Sequence, residues 1–237
     1  LRQHRSAVPA LHSSSRTATW PLFFCCFVCQ ASVMAFANRI LLLMIIPMQQ
    51  VLCAGWKRTV VFLKVDTQNG QDVFIRGGND PAKHQDLPSR IPISHETRVS
   101  QDFHSYADWA KGDTVLDWDG AEPGQGTFGN KQADGTPLVW STNDVFNPGF
   151  QILNQYGPNY WMVELLMDCS QAYQGKYFEF KGYVQNGQGW EWDVAQDARC
   201  DGDIGMSKPF DSINHIALCG AVNVFHINSG KCTVDSL

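Results

Sequence analysis

The chain has 237 residues, with 18 Lys and Arg against 23 Asp and Glu and a formal net charge of −5. Every acidic residue but only 14 of the basic ones lie in residues 56–237, so that stretch carries a net charge of −9. Such acidity argues against nucleic acid and anionic membrane as partners, because both need a basic surface, and it suits a neutral ligand or calcium.

The first methionine is Met34, and the text from there reads MAFANRILLLMIIPMQQVLCAG. A short basic start at Arg39, an apolar run from Ile40 to Met48 and small residues after it form the layout of a secretory signal peptide, with cleavage expected near Gly55. The run is shorter than the roughly 20 apolar residues a bilayer span needs. The expected product is soluble, secreted and extracellular, with no membrane attachment after cleavage. Residues 1–33 read as a segment derived from an untranslated leader, or as disordered chain, with a long signal sequence as the alternative. Residues 34–55 are the signal peptide, and residues 56–237 form one domain.

Along that domain the pattern is β throughout. Residues 60–65 (VVFLKV) are a β-branched run, Asn69-Gly70 supplies a turn, and residues 71–76 (QDVFIR) make a second run. An Asn-Gly between two such runs predicts a β-hairpin. After a polar, proline-bearing stretch with a short strand at 91–93, further strands are expected at 114–118, 138–142, 160–167, 177–184, 190–194, 216–219 and 222–227. In the 177–184 strand Phe178, Phe180 and Val184 share one face, and Tyr177, Glu179, Lys181 and Tyr183 share the other. That alternation marks a half-buried antiparallel strand. Residues 103–111 read as one short helix ended by Gly112. The expected fold is all-β: a single antiparallel β-sandwich, jelly-roll or immunoglobulin-like, with at most one short helix.

Catalytic signals are weak. Asp117 with Asp119, or Glu191 with Asp193, could serve as the paired carboxylates of a glycosidase, but acidic residues are abundant and such pairs arise by chance. No G-x-S-x-G or H-E-x-x-H occurs, and the histidines are scattered. His215 and His226 read as strand residues, each with its hydrogen bond satisfied. The expectation is a protein that is not an enzyme. No cofactor is expected, although the acidic loops at 113–122 and 197–203 could hold calcium through Asp113, Asp117, Asp119, Asp201 and Asp203. Four cysteines, Cys169, Cys200, Cys219 and Cys232, lie in the domain. An even count in a secreted chain favours two disulfides, with three connectivities open.

The aromatic residues are the stronger signal. Seven tryptophans fall in residues 56–237. An exposed indole matches the C–H face of a sugar ring while neighbouring carboxylates and amides bond its hydroxyls. Trp118 sits between Asp117 and Asp119, and Trp190 follows Gln188. These five are the candidate carbohydrate-binding residues, whereas Trp140 and Trp161 read as core. In NGQGWEWDV (186–194), Trp190 and Trp192 share one strand face and Glu191 and Asp193 the other. Burying the acids unpaired would cost several kcal/mol. The indoles are therefore expected mainly in the core with the acids facing water, Trp190 being the more exposed of the pair and Trp118 the better sugar platform. Trp192→Ala is expected to destabilise as core truncations do, by about 3–5 kcal/mol.

Read in order, RTVVF (58–62), GQDVFIRGG (70–78), YADWAKGDTVLDWDGAE (106–122), GTPLVWSTN (135–143), YGPNYWMVELLMDCS (156–170) and NGQGWE (186–191) resemble the non-catalytic C-terminal extra domain of some secreted animal α-amylases, notably of molluscs, and more broadly starch-binding modules. The resemblance implies an α-glucan setting and an associated amylase as partner. It implies no catalysis, because the Asp nucleophile and Glu acid of the amylase barrel are absent, and it carries no ligand residues. It implies a Cys169–Cys219 bridge, which leaves Cys200 for Cys232. The function expected is a secreted non-catalytic carbohydrate-binding protein for starch-like or other neutral glucans. The alternatives are an extracellular structural or matrix protein with calcium-binding acidic loops, and, last, a small glycoside hydrolase.

Overall fold

A computed structural model describes residues 55–191 and 199–237. The described chain belongs to one compact unit and forms fourteen strands and one short α-helix. In chain order the strands are β1 (Trp56–Lys64), β2 (Asp72–Gly78), β3 (Ile91–His95), β4 (Val115–Leu116), β5 (Thr127–Phe128), β6 (Lys131–Gln132), β7 (Thr136–Pro137), β8 (Val139–Ser141), β9 (Tyr160–Asp168), β10 (Tyr177–Gln185), β11 (Gly189–Trp190), β12 (His215–Leu218), β13 (Val222–His226) and β14 (Cys232–Asp235). The helix, α1 (His104–Trp109), follows a 3-10 turn between β3 and β4.

Two sheets make the sandwich. One runs β14-β13-β1-β9-β3-β4, with β8 also on β9, and the other runs β11-β10-β2-β7, with β12 also on β10. Val61, Leu63, Val163 and Leu165 of the first sheet and Val73, Ile75, Phe178, Phe180 and Val184 of the second share one apolar core. The sheets approach closely at Gly182, where a Cβ would sit 3.0 Å from Leu63 Cδ1 and 2.9 Å from Ile227 Cδ1.

The unbroken apolar run in β1 has a physical cause. β1 is central, so Val61 and Leu63 face the main core, while Val60 and Phe62 face a second cluster with Tyr160, Met162, Val222 and Val224. Leu153 and Tyr156 close over that outer cluster. A strand covered on both faces loses the alternation of a half-buried one.

The all-β sandwich is as expected from the residue pattern, with three differences. β1 and β2 form no hairpin. The Asn69-Gly70 turn does form, with Gln71 N–H donating to Gln68 O at 3.1 Å and Gly70 at φ +84°. But β1 is already flanked by β9 and β13, so the turn lies on an arch that carries the chain into the other sheet. Next, the β1–β13 pairing is parallel, which makes that sheet mixed rather than wholly antiparallel. Finally, Glu179 does not face water. It is 1% exposed and accepts from Ser212 Oγ, Asn214 Nδ2 and the Asp80 amide, with His84 Nε2 at 3.6 Å. Segments around Asp80–His84 and Ser212–Asn214 cover that end of the sheet. Trp161 is buried, whereas Trp140 is only half-buried against the core.

The cysteines pair as Cys169–Cys219 and Cys200–Cys232, with Cα separations of 5.9 and 4.6 Å. Among the described residues no helix is long and apolar enough to cross a membrane. The two bridges are compatible with an extracellular protein.

Candidate functional site

The outer face of the β10–β2 sheet gathers the aromatic and polar side chains. Because β-strand side chains alternate, β10 turns Lys181, Tyr183 and Gln185 outward and β2 turns Asp72, Phe74 and Arg76 outward. Their register places Tyr183 opposite Phe74, Lys181 opposite Arg76 and Gln185 opposite Asp72. Across the other edge of β10, Trp190 of β11 lies opposite Tyr183. The α1 helix covers Phe74 with Trp109, their ring centroids 5.1 Å apart.

Trp190 is 38% exposed. Its ring meets Tyr183 edge-on at 5.2 Å. The Arg76 guanidinium stacks 4.7 Å from the Trp190 centroid and 5.5 Å from that of Tyr183. Arg76 is itself anchored, with Nε donating to Asp134 O at 2.6 Å and Nη2 lying 3.5 Å from Asp134 Oδ1. Gln185 Nε2 donates to Asp134 Oδ2 at 2.7 Å, and its Oε1 is buried without a hydrogen-bond partner among the described residues. The result is a braced, half-exposed indole beside an amide and a carboxylate.

What turns Trp190 outward is Glu191. The acid faces the interior at 1% exposure, reversing the expected arrangement. A carboxylate buried without partners would be costly there, but Glu191 has three. Oε1 is 2.8 Å from His215 Nε2 and accepts from the Asn228 amide at 2.9 Å, and Oε2 accepts from the Gly182 amide at 3.0 Å. His215 is fully buried between Phe180 and Phe225, at 5.1 and 4.5 Å. Hydrogen-bonded acids bury at far lower cost than bare ones. Trp192 and Asp193 lie outside the described residues, as does the proposed core role of Trp192.

Trp118, the other expected platform, lies on the loop after β4. It is half-buried, with Nε1 donating to Asn79 O at 3.2 Å, and no ring contact joins it to Trp190. Its flanking acids are engaged by Arg90, whose Nε is 3.4 Å from Asp117 Oδ2 and whose Nη2 is 3.3 Å from Asp119 Oδ2. Asp117 is buried and Asp119 is 75% exposed. The loop still borders the Trp190 site, since Arg76 Nη2 lies 3.2 Å from the place of a Cβ on Gly120. Gln188 is exposed on the turn before β11 and accepts from Asn228 Nδ2 at 3.2 Å. Of the five expected binding residues, the structure thus places Trp190 and Gln188 on one turn, and Trp118, Asp117 and Asp119 on a neighbouring loop.

The calcium candidates are dispersed. Asp113 is buried with His95 Nε2 at 2.8 Å, and His95 Nδ1 is 2.8 Å from Tyr106 Oη. Burial pushes the Asp113 carboxyl up to about 6 against the pull of His95. Asp203 accepts from the Ser236 amide and hydroxyl, which hold its carboxyl below the ordinary value. The Asp201 backbone is tied to Cys232 and Val234. Among the described residues no three His, Cys, Asp or Glu side chains converge on a metal-sized site.

Tyr183, Arg76, Gln185 and Asp134 were not among the sequence candidates. The signal for Tyr183 and Gln185 was the β10 alternation itself. Arg76 and Asp134 could be found only once the β2–β10 register was known. Set beside protein-family models, curated proteins and solved structures, the chain finds no match in any of the three.

Proposed function

We propose that this is a secreted, non-catalytic carbohydrate-binding protein that takes a neutral glucan on the outer face of the β10–β2 sheet, with Trp190 as the stacking surface. The observation that carries the reading is the exposure of Trp190 together with its bracing by Tyr183 and Arg76. A pre-organised ring loses little freedom on binding. Asp134 and Gln188 offer polar atoms for hydroxyls, and the acidic surface disfavours anionic polymers. The resemblance to the extra domain of α-amylases makes an α-glucan the first ligand to try and an amylase the partner to look for. Affinity at one such indole is expected between about millimolar and micromolar, roughly −4 to −8 kcal/mol.

The test is retention of the purified protein on insoluble starch, cellulose and chitin, with and without a calcium chelator. Retention on starch that survives chelation is expected, and Trp190→Ala should abolish it while shifting the thermal midpoint little. Absence of retention on every polysaccharide, or full retention by Trp190→Ala, would refute the reading.

A further inference from the structure

Two Asn-Gly pairs face each other at one rim of the sandwich. Asn69-Gly70 occupies the centre of the arch turn closed by the Gln71–Gln68 hydrogen bond. Asn186-Gly187 occupies the turn between β10 and β11. The turns are clipped together. Asn186 Nδ2 donates to Gly70 O at 3.1 Å, and Gln71 Nε2 donates to Asn186 O at 3.2 Å.

The two asparagines differ in chemical freedom. Asn69 is exposed, and among the described residues neither its side-chain amide nor the Gly70 N–H makes a hydrogen bond. The Asn186 amide is pinned on Gly70 O, its backbone is held at φ +55°, and the Gly187 N–H is engaged with Val184 O at 3.3 Å.

We infer that Asn69 is a site of spontaneous deamidation and that Asn186, with the same following residue, is protected by the fold. In the reaction the Gly70 backbone nitrogen attacks Asn69 Cγ. A Gly70 N–Cγ bond forms, the Cγ–Nδ2 bond breaks, and ammonia leaves with the proton from Gly70 N. Water then opens the five-membered imide. Attack at Cγ releases the Gly70 nitrogen from the side chain and gives aspartate, whereas attack at the main-chain carbonyl carbon gives isoaspartate. No cofactor or oxidant is needed, and nothing beyond water is consumed. Glycine matters because it lacks a Cβ that would crowd the approaching nitrogen. At Asn186 the same attack requires the Gly70 O contact and the Val184 O contact to break first.

Aspartate places a carboxylate where the neutral amide stood, and isoaspartate carries it on the former main-chain carbonyl carbon, so either product adds a negative charge to the turn. Isoaspartate also adds a methylene to the backbone of the turn whose Gly70 carbonyl holds Asn186. The change therefore reaches, through Gly70, the turn that presents Gln188 and Trp190.

The experiment incubates the native, oxidised protein at mildly alkaline pH and follows both sites by peptide mass spectrometry. Trypsin separates them, with Asn69 in residues 65–76 and Asn186 in residues 182–199. The unfolded, reduced chain is the control. In the control the two sites should convert at similar rates. In the native protein Asn69 should pass through the ammonia-loss imide while Asn186 lags by about thirtyfold, the rate ratio expected when two hydrogen bonds of about 1 kcal/mol each must be broken. Equal conversion of the two sites in the native protein would overturn the inference. So would earlier conversion of Asn186, or Asn69 remaining intact over a period in which the unfolded chain has reacted.

Discussion

Glu191 carries more of the local structure than any other side chain near Trp190. It joins β11 to the Gly182 amide of β10, to His215 of β12 and to the Asn228 amide in the turn after β13. Removing a partner from such a buried polar group leaves the others unsatisfied, which typically costs about 3–5 kcal/mol. Glu191→Ala should therefore lower the unfolding free energy by that amount in a denaturant titration, and Glu191→Gln by less, since an amide oxygen still accepts. A Glu191→Ala variant as stable as the parent would show that the bonds contribute nothing net. Asp113 makes a pH prediction. Its carboxyl is raised by burial to about 6, so the folded state holds the proton more tightly than the unfolded state, whose carboxyl titrates near the ordinary value of about 3.9. The sign follows from linkage. The stabilisation from this group is full below about pH 4 and is lost as pH rises through about 6. The side chain is nearly fully buried, so a shift of about two units corresponds to roughly 3 kcal/mol. The stability of Asp113→Asn relative to the parent should thus improve between pH 4 and pH 7. A difference that does not change with pH would rule out the shift.

At the scale of elements, the bridges tie down what the strands hold weakly. Cys200–Cys232 closes a separation of 32 residues and Cys169–Cys219 one of 50. The loop-entropy relation assigns each about 4 kcal/mol. Near Cys200 the chain touches β14 through the Asp201–Thr233 bridge and little regular structure. Replacing Cys200 and Cys232 by serine should lower stability by about that amount, and hydrogen exchange should show residues 199–207 losing protection before β1 or β9. An unchanged unfolding midpoint would exclude the bridge as a stabiliser. The long strands were legible for a simple reason. β1, β2, β9 and β10 bury apolar side chains along most of their length, and burial leaves its period in the residue text. Partnership was not legible. VVFLKV and QDVFIR around Asn69-Gly70 read as a hairpin because a turn reports only local geometry, and nothing local says that β9 and β13 have claimed both edges of β1. The two-residue strands β5 to β7 and the late strand β14 are too short, or too polar, to carry a period at all.

For the molecule as a whole, the site was half legible. Trp190 and Gln188 stood out by type and spacing, and Trp118 by its acidic neighbours. Whether an indole is free depends on what meets it from elsewhere in the chain. Asn79 takes the Trp118 N–H from 39 residues away, and His215 takes Glu191 from 24 residues away. The second of these reversed the expected orientation of the strand, because the cost of burying an acid depends on partners that only the fold supplies.

The parallel pairing of β1 with β13 has a further consequence. It joins Val60 to Val222 and Lys64 to His226, so one edge of β1 has its partner far along the sequence, after β2 to β12. During synthesis that edge stays open, with its amides and carbonyls unpaired, until β13 has been made. Contacts this distant in sequence form slowly, and an open apolar edge invites the wrong neighbour in the meantime. The interval between the emergence of β1 and the arrival of β13 is therefore the time when a chaperone has most to hold.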